Sequence, residues 1–228
     1  PGRHLLPDLA IQLLDEQKKS WRQLAAGYSS LGSAQLREVR CAGFSVQLQW
    51  NSARIVSTGA KVDEKSIRER KCFLCVENLP EDQQGISYQE KYLVLCNPAP
   101  IFAGHFTISN VQHIPQAIES SAGDLLDLAR DLSPKFSVFY NGPRCGASTP
   151  DHLHFQASPR NAIPVEVEAV DARRREILKK SPSLAIVGLK RYGRTVLVIE
   201  SIDKESLSGF LSKLLSAWRG FLGSSDEP

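Results

Sequence analysis

The 228-residue chain has no methionine, only five histidines and five cysteines, and no long apolar run. Each scarcity narrows the possibilities. A transmembrane helix needs about 20 consecutive apolar residues, and no stretch approaches that, so no membrane partner is expected. No N-terminal segment joins an apolar stretch to a small-residue cleavage site, so no signal peptide is expected. An odd cysteine count in a chain without export signals argues against a disulfide framework. It fits a reducing cytoplasm, where a metal site is the better use of cysteine. The net charge of +3 is too small to argue for nucleic acid. The basic runs Arg173-Arg174-Arg175, Lys179-Lys180 and Lys190-Arg191 read as a solvated helix face. The missing methionine extends to the initiator, which fits absent residues or loops and a break after Gly223–Pro228.

What is present describes an ordinary globular protein: 42% of residues are hydrophobic and 23% charged, enough for one sizeable domain. There is no fixed-period repeat and no low-complexity tract. Pro7 and Asp8 open a helix carrying Leu9, Leu13, Leu14, Trp21 and Leu24, with Gly27 as its stop. Leu36–Cys41 and Phe44–Trp50 alternate as strands joined tightly at Gly43. Further strands are expected at Lys91–Cys96, Phe106–Ser109, Phe136–Tyr140 and Thr195–Glu200. A helix is expected through Ile118, Leu125, Leu128, Ala129 and Leu132, and a charged helix near residues 165–180. The terminal helix places Leu207, Phe210, Leu211, Leu214, Leu215 and Trp218 on one stripe. This order favours an antiparallel α+β sheet over a doubly wound parallel one.

The segment Asp151-His152-Leu153-His154-Phe155-Gln156 carries most chemistry. Leu153, Phe155 and Ala157 alternate with His152, His154 and Gln156, the period of a half-buried strand. Two imidazoles and an amide therefore share one rigid face. They follow the loop Asn141-Gly142-Pro143-Arg144-Cys145-Gly146-Ala147-Ser148, which suits attack on phosphorus. Cys72-Phe73-Leu74-Cys75 has a spacing that lets two thiolates hold one ion, and by itself it is open between zinc, redox chemistry and chance.

His-x-His-x-Gln resembles the histidine-triad branch that contains galactose-1-phosphate uridylyltransferase, diadenosine tetraphosphate phosphorylase and GDP-hexose phosphorylases. The resemblance covers about residues 44–160. It implies the histidine-triad fold, an antiparallel sheet with flanking helices. It also implies that His154 is the nucleophile carrying a nucleoside monophosphate, with Gln156 in place of the hydrolases' third histidine. Gly146-Ala147-Ser148 looks like the family's Gly-x-Ser phosphate loop, with Asn141 ahead of it. One position departs: the family's Ser-x-Pro-His is here Ser148-Thr149-Pro150-Asp151-His152, one residue longer.

Cys72-Phe73-Leu74-Cys75-Val76-Glu77-Asn78 resembles the family's zinc knuckle, whose remaining ligands would be His113 and His152. That set is a closed structural zinc site. Cys41, Cys96 and Cys145 read as buried core thiols. Asn97, after a strand, looks like the ribose-contacting residue, although Pro98 replaces an acidic residue. Asn51, Arg54 and Lys61 look like the phosphate-approaching segment, with solvated charge an equal reading for Arg54 and Lys61.

The expected organisation is an N-terminal elaboration (1–43), a catalytic core with the knuckle (44–160) and a C-terminal extension (161–228). The expected function is nucleotidyl transfer or phosphorolysis of an NDP-sugar or dinucleoside polyphosphate through a nucleotidyl-histidine. Phosphate or a sugar phosphate would be the acceptor, and a homodimer or further chain would complete the site. A zinc-stabilised nucleotide-binding module and a nucleotide-conjugate hydrolase are the alternatives.

Overall fold

The computed structural model describes residues 5–42, 44–54 and 63–222. The site rests on one antiparallel sheet of five strands in the order β3-β4-β5-β7-β6. These are β3 (Gly85–Tyr88), β4 (Tyr92–Cys96), β5 (Phe106–Asn110), β6 (Phe136–Phe139) and β7 (His154–Pro159). The fold is α+β, an antiparallel sheet with flanking helices, as expected.

Register sorts the side chains into two faces. Ile108 pairs with Phe155 and with Val94, so these three share a face, which continues through Phe106 and Ala157. All five are fully buried or nearly so. Burying each large side chain there contributes about 1.5–3 kcal/mol. Thr107 pairs with Gln156 and Ser109 with His154, so the opposite face carries the polar set. The alternation in β7 thus separates a core face from a chemical face.

Helices close the apolar face. The helix α1 (Leu6–Ser20) supplies Leu6, Ala10, Leu13 and Leu14, and α4 (Ala122–Leu132) supplies Leu128 and Leu132. Tyr88 and Tyr92 tie the sheet to α4 by donating hydroxyl hydrogen bonds to Asp131 and Asp124 at 2.9 and 2.7 Å. The terminal helix α6 (Lys204–Leu222) lays Leu211 and Leu215 against this core, and Arg219 pairs with Glu119. No helix among the described residues is long and apolar enough to cross a membrane.

Four expectations need correction. The N-terminal helix breaks at Trp21, whose extended backbone (φ −107°, ψ 102°) turns a 3%-exposed indole into the core. It then resumes as α2 (Arg22–Gly32), so Gly27 is not its stop. Gly27 lies inside α2 at a close approach, where a Cβ would sit 2.0 Å from the Pro98 carbonyl oxygen. The charged helix near 165–180 is a one-turn helix α5 (Pro164–Glu168) followed by strand β8 (Arg175–Lys180). Pairing with β9 (Ala185–Leu189) across a Ser181–Leu184 turn overrides helix propensity. Finally, Cys41 and Cys145 are exposed, and of the three lone thiols Cys96 is the buried one.

The hairpin of β1 (Gln35–Cys41) and β2 (Phe44–Trp50) pairs antiparallel with Cys41 opposite Phe44. Gly43 and Lys61 lie outside the described residues. The other expected strands and the α4 helix are present within a few residues. Strands β3, β9 and β10 (Leu197–Glu200) and the short α3 (Glu64–Glu69) complete the chain.

Candidate functional site

His154 opens β7, only 5% exposed. Its Nδ1 lies 2.8 Å from the His152 carbonyl oxygen. A carbonyl can only accept, so Nδ1 carries the proton and the Nε2 lone pair is left for chemistry. Burial holds the ring below its ordinary pKa, so it stays neutral. Its backbone is clamped by Gln116, a residue 2% exposed. The Gln116 Oε1 accepts from the His154 N–H at 2.7 Å. The Gln116 Nε2 donates to the carbonyls of His154 at 3.0 Å and Asn141 at 2.9 Å. One amide thus joins the start of the histidine strand to the start of the loop.

Gln156 lies on the same face, between Thr107 of β5 and Phe139 of β6. Its Oε1 is 2.8 Å from the Nε2 of His105. His105 is 2% exposed, and burial pushes its pKa down to about 4. The His105 Nδ1 accepts from the Ile101 N–H at 3.2 Å, so its proton is on Nε2.

The loop after Asn141 turns through a Cys145 N–H to Gly142 carbonyl bond of 2.9 Å. Gly146 has φ +93° with open space where a Cβ would be, so backbone conformation alone requires glycine there. Ala147 is buried and Ser148 half-buried. Ser148 shares no hydrogen bond with His154 or Gln156 among the described residues. The Thr149 hydroxyl is buried without a partner, while its carbonyl accepts from the His152 N–H at 3.2 Å. That turn absorbs the extra residue. Asp151 swings to Arg70 at 2.7 Å and to within 3.6 Å of the His113 Nε2.

Asn97 and Arg54 both brace the loop of residues 97–105. The Asn97 Oδ1 accepts from the Ala99 N–H at 2.9 Å and its Nδ2 donates to the Thr107 hydroxyl at 3.1 Å. Arg54 donates to the Ala99 carbonyl at 2.6 Å, and burial lowers its pKa. Asn51 accepts from the Ser30 hydroxyl at 2.6 Å.

Cys72, Cys75, His113 and His152 converge, with one ligand atom from each lying within 4.8 Å of the others. The Cys72 Sγ is 3.3 Å and the Cys75 Sγ 3.6 Å from the His152 Nδ1, and Cys75 is 3.1 Å from the His113 Nδ1. Sulfur and nitrogen around one tetrahedral zinc stand roughly 3.5 Å apart, from bond lengths near 2.3 and 2.0 Å. The donor set therefore fits such an ion. Backing is also present: the His152 Nε2 donates to the Asn110 carbonyl at 2.8 Å, which leaves its Nδ1 facing the sulfurs. Burial, the largest single influence, would raise the Cys72 thiol, but the His152 hydrogen bond and charge together with the Leu74 and Cys75 backbone N–H groups outweigh it and bring the pKa down to about 7. Burial and the neighbouring Cys72 sulfur push Cys75 up to about 11. These four residues could hold a metal between the knuckle and the strand of His154.

Gln116, Asn110 and Arg70 carried no signal of these roles in the sequence. A buried glutamine six residues after β5 looks like any polar loop residue, since its partners are backbone atoms distant in sequence.

Galactose-1-phosphate uridylyltransferase 1 of Streptococcus pneumoniae serotype 4 is 26% identical over 174 residues, covering 69% of this chain and 34% of that protein. The enzyme of the same name from Caldanaerobacter subterraneus subsp. tengcongensis is 25% identical over 181 residues, covering 69% and 32%. This chain thus spans about a third of those relatives. Among solved structures, yeast Ap4A phosphorylase in complex with AMP superposes with a TM-score of 0.52 at 16% identity, covering 95% of this chain and 73% of that one. Relatives in sequence and a neighbour in fold bear out the histidine-triad-like branch. A family model described as a domain of unknown function, DUF4922, matches residues 13–159, and this chain belongs to that family.

Proposed function

We propose that the chain transfers nucleotides through His154, acting on an NDP-sugar or a dinucleoside polyphosphate. The supporting observation is a buried, neutral imidazole with Nδ1 held by the His152 carbonyl, on one sheet face with the Gln156 amide. In the first step the Nε2 lone pair forms a bond to the α-phosphorus, and the bond from phosphorus to the leaving oxygen breaks with its electron pair on oxygen. The ring becomes cationic, and its Nδ1–H bond to the carbonyl strengthens as that charge develops. In the second step an oxygen of phosphate or a sugar phosphate attacks phosphorus, and the electron pair of the N–P bond returns to Nε2. Donors for the phosphoryl oxygens are the amides of Gly146 to Ser148, the Ser148 hydroxyl and the Gln156 amide. Asn141, Asn97 and Arg54 serve by holding the substrate loops.

In this reading Cys72, Cys75, His113 and His152 hold a structural zinc, which supplies rigidity beneath β7 and no chemical step. The catalytic core lies within 44–160, flanked by the 1–43 and 161–228 segments. The protein works in the cytoplasm, where the thiols stay reduced, and a homodimer or further chain completes the site.

The test is to incubate the protein with UDP-glucose and, separately, Ap4A, and to look by intact mass for a nucleoside monophosphate on His154. His154→Gly should lose both the adduct and turnover, and nucleoside phosphorimidazolides should restore transfer. Reversible binding without an adduct would make the protein a nucleotide-binding module instead, and turnover independent of phosphate or sugar phosphate would make it a hydrolase.

A further inference from the structure

A glutamine side chain has two ends of nearly equal size and opposite hydrogen-bonding sense. If Gln156 is to stabilise charge on a phosphoryl oxygen, its NH2 group must face the substrate. Reversed, it would place a carbonyl oxygen against an anion. Nothing in the glutamine itself decides between these orientations.

The surroundings of Gln156 decide it. Its Oε1 is held by the His105 Nε2 at 2.8 Å, and its own nitrogen has no hydrogen-bond partner among the described residues. His105 can fill this role only as a donor at Nε2, and four contacts hold it so. The Ile101 N–H points at Nδ1 from 3.2 Å, which requires a lone pair there. The His105 backbone N–H donates to the Tyr28 hydroxyl at 3.2 Å. Phe139 stacks on the ring with centroids 6.4 Å apart and planes inclined by 20°, and Phe102 meets it edge-on at 5.7 Å. Ring plane, ring flip and tautomer are therefore all specified, in a side chain 2% exposed.

We propose that His105 is a positioning residue that fixes the direction of the Gln156 amide, so that its NH2 group is always the end offered to the reacting phosphoryl group. The proposal rests on the nucleotidyl-transfer reading for its consequence in rate, and on geometry alone for the amide direction. The donors run in one direction, from the Ile101 N–H to His105 and from His105 to Gln156, and each hydrogen bond polarises the next. The NH2 group at the end of the chain is a better donor than that of an isolated amide. The same arrangement gives a specificity: an uncharged donor, preset before substrate arrives, suits an anionic phosphoryl oxygen and rejects a ligand presenting a donor at that point.

The experiment has a spectroscopic arm and a kinetic arm. Nitrogen-15 labelling of histidine in the full chain should report His105 as neutral with its proton on Nε2, and Gln156→Ala should move that Nε2 resonance. A proton on Nδ1, or no response to Gln156→Ala, overturns the proposal. In the kinetic arm, His105→Leu should lower kcat roughly 10- to 100-fold with the nucleotide KM little changed, below the 10²–10³ expected for deleting one such donor outright. His105→Gln, which returns an N–H near the Nε2 position, should recover kcat to within about fivefold of wild type. The double variant His105→Leu, Gln156→Ala should be no slower than Gln156→Ala alone, because His105 acts through the amide. Multiplying losses in the double variant, or failure of His105→Gln to rescue a stably folded protein, overturns it. The tautomer is readable whether or not nucleotide is turned over. A misplaced proton and an absent nucleotidyl-enzyme therefore report separate failures, of the positioning and of the transfer reading.

Discussion

Replacing Gln116 by alanine removes three hydrogen bonds at once and leaves the His154 N–H, the His154 carbonyl and the Asn141 carbonyl without their partner. Each neutral hydrogen bond contributes about 1 kcal/mol net, and each unsatisfied buried group costs about 1–3 kcal/mol. Water entering the space left by the amide recovers part of this, so the expected loss is about 3 kcal/mol. For a chain of this size that lowers Tm by roughly 6–12 °C. Gln116→Glu should be worse at neutral pH, because it keeps an acceptor for the His154 N–H but sets a carboxylate against two carbonyl oxygens. Its sign with pH is also fixed. The buried carboxyl has a folded-state pKa above its unfolded value, so the deficit shrinks as pH falls and grows as pH rises through the ordinary glutamate range. Urea unfolding of the three proteins at pH 5 and pH 7.5, followed by fluorescence, reads these differences directly. A loss below about 1 kcal/mol for alanine, or a glutamate variant more stable than the alanine one at pH 7.5, would refute the clamp.

Three further outcomes are expected. Protein prepared without chelator should carry about one zinc per chain, and Cys75→Ala should lose it along with several degrees of Tm; metal-free protein of full stability would remove the site. His105 is neutral in the fold with a pKa near 4 against an ordinary 6.5, so the unfolded chain takes up a proton first as pH falls, and stability drops by about 2 kcal/mol between pH 7 and pH 5. His105→Leu should lack that part of the slope in urea titrations, and an equal slope would refute the assignment. Gly27→Ala should destabilise the fold and weaken nucleotide binding, because the added Cβ would meet the Pro98 carbonyl at 2.0 Å; a calorimetric titration unchanged from wild type would count against that contact.

The legible parts of this molecule were those written in local pattern. Alternation through Leu153, Phe155 and Ala157 placed His154 and Gln156 on one face, and the register against Thr107 and Ser109 agrees. The cysteine spacing allowed an ion without requiring one, and the resemblance named His113 and His152 as its further ligands. What local pattern could not show was set by contacts between distant segments. The helix breaks at Trp21 without proline or glycine there, because the indole is wanted in the core. Arg175–Lys180 has the composition of a helix face and becomes a strand because β9 pairs with it. Asp151 falls in the stretch that makes the motif one residue longer, yet its carboxylate stands behind the cysteine–histidine cluster, on Arg70 and beside His113. Gln116 and His105 act through backbone atoms and one amide, and no sequence spacing announces such partners.

Gly27 bears on how the molecule can be cut and varied. Because α2 lies flush against the Pro98–Pro100 backbone, the first helices are a mould for the loop that Asn97 and Arg54 brace. Tyr28, the next residue, takes the His105 N–H from the same helix. A fragment starting at Phe44 would keep His154, Gln156, Cys72, Cys75, His113 and His152. It would still lack the surface on which the loop is shaped, so swapping or trimming the N-terminal arm is a change to the polar face of the sheet.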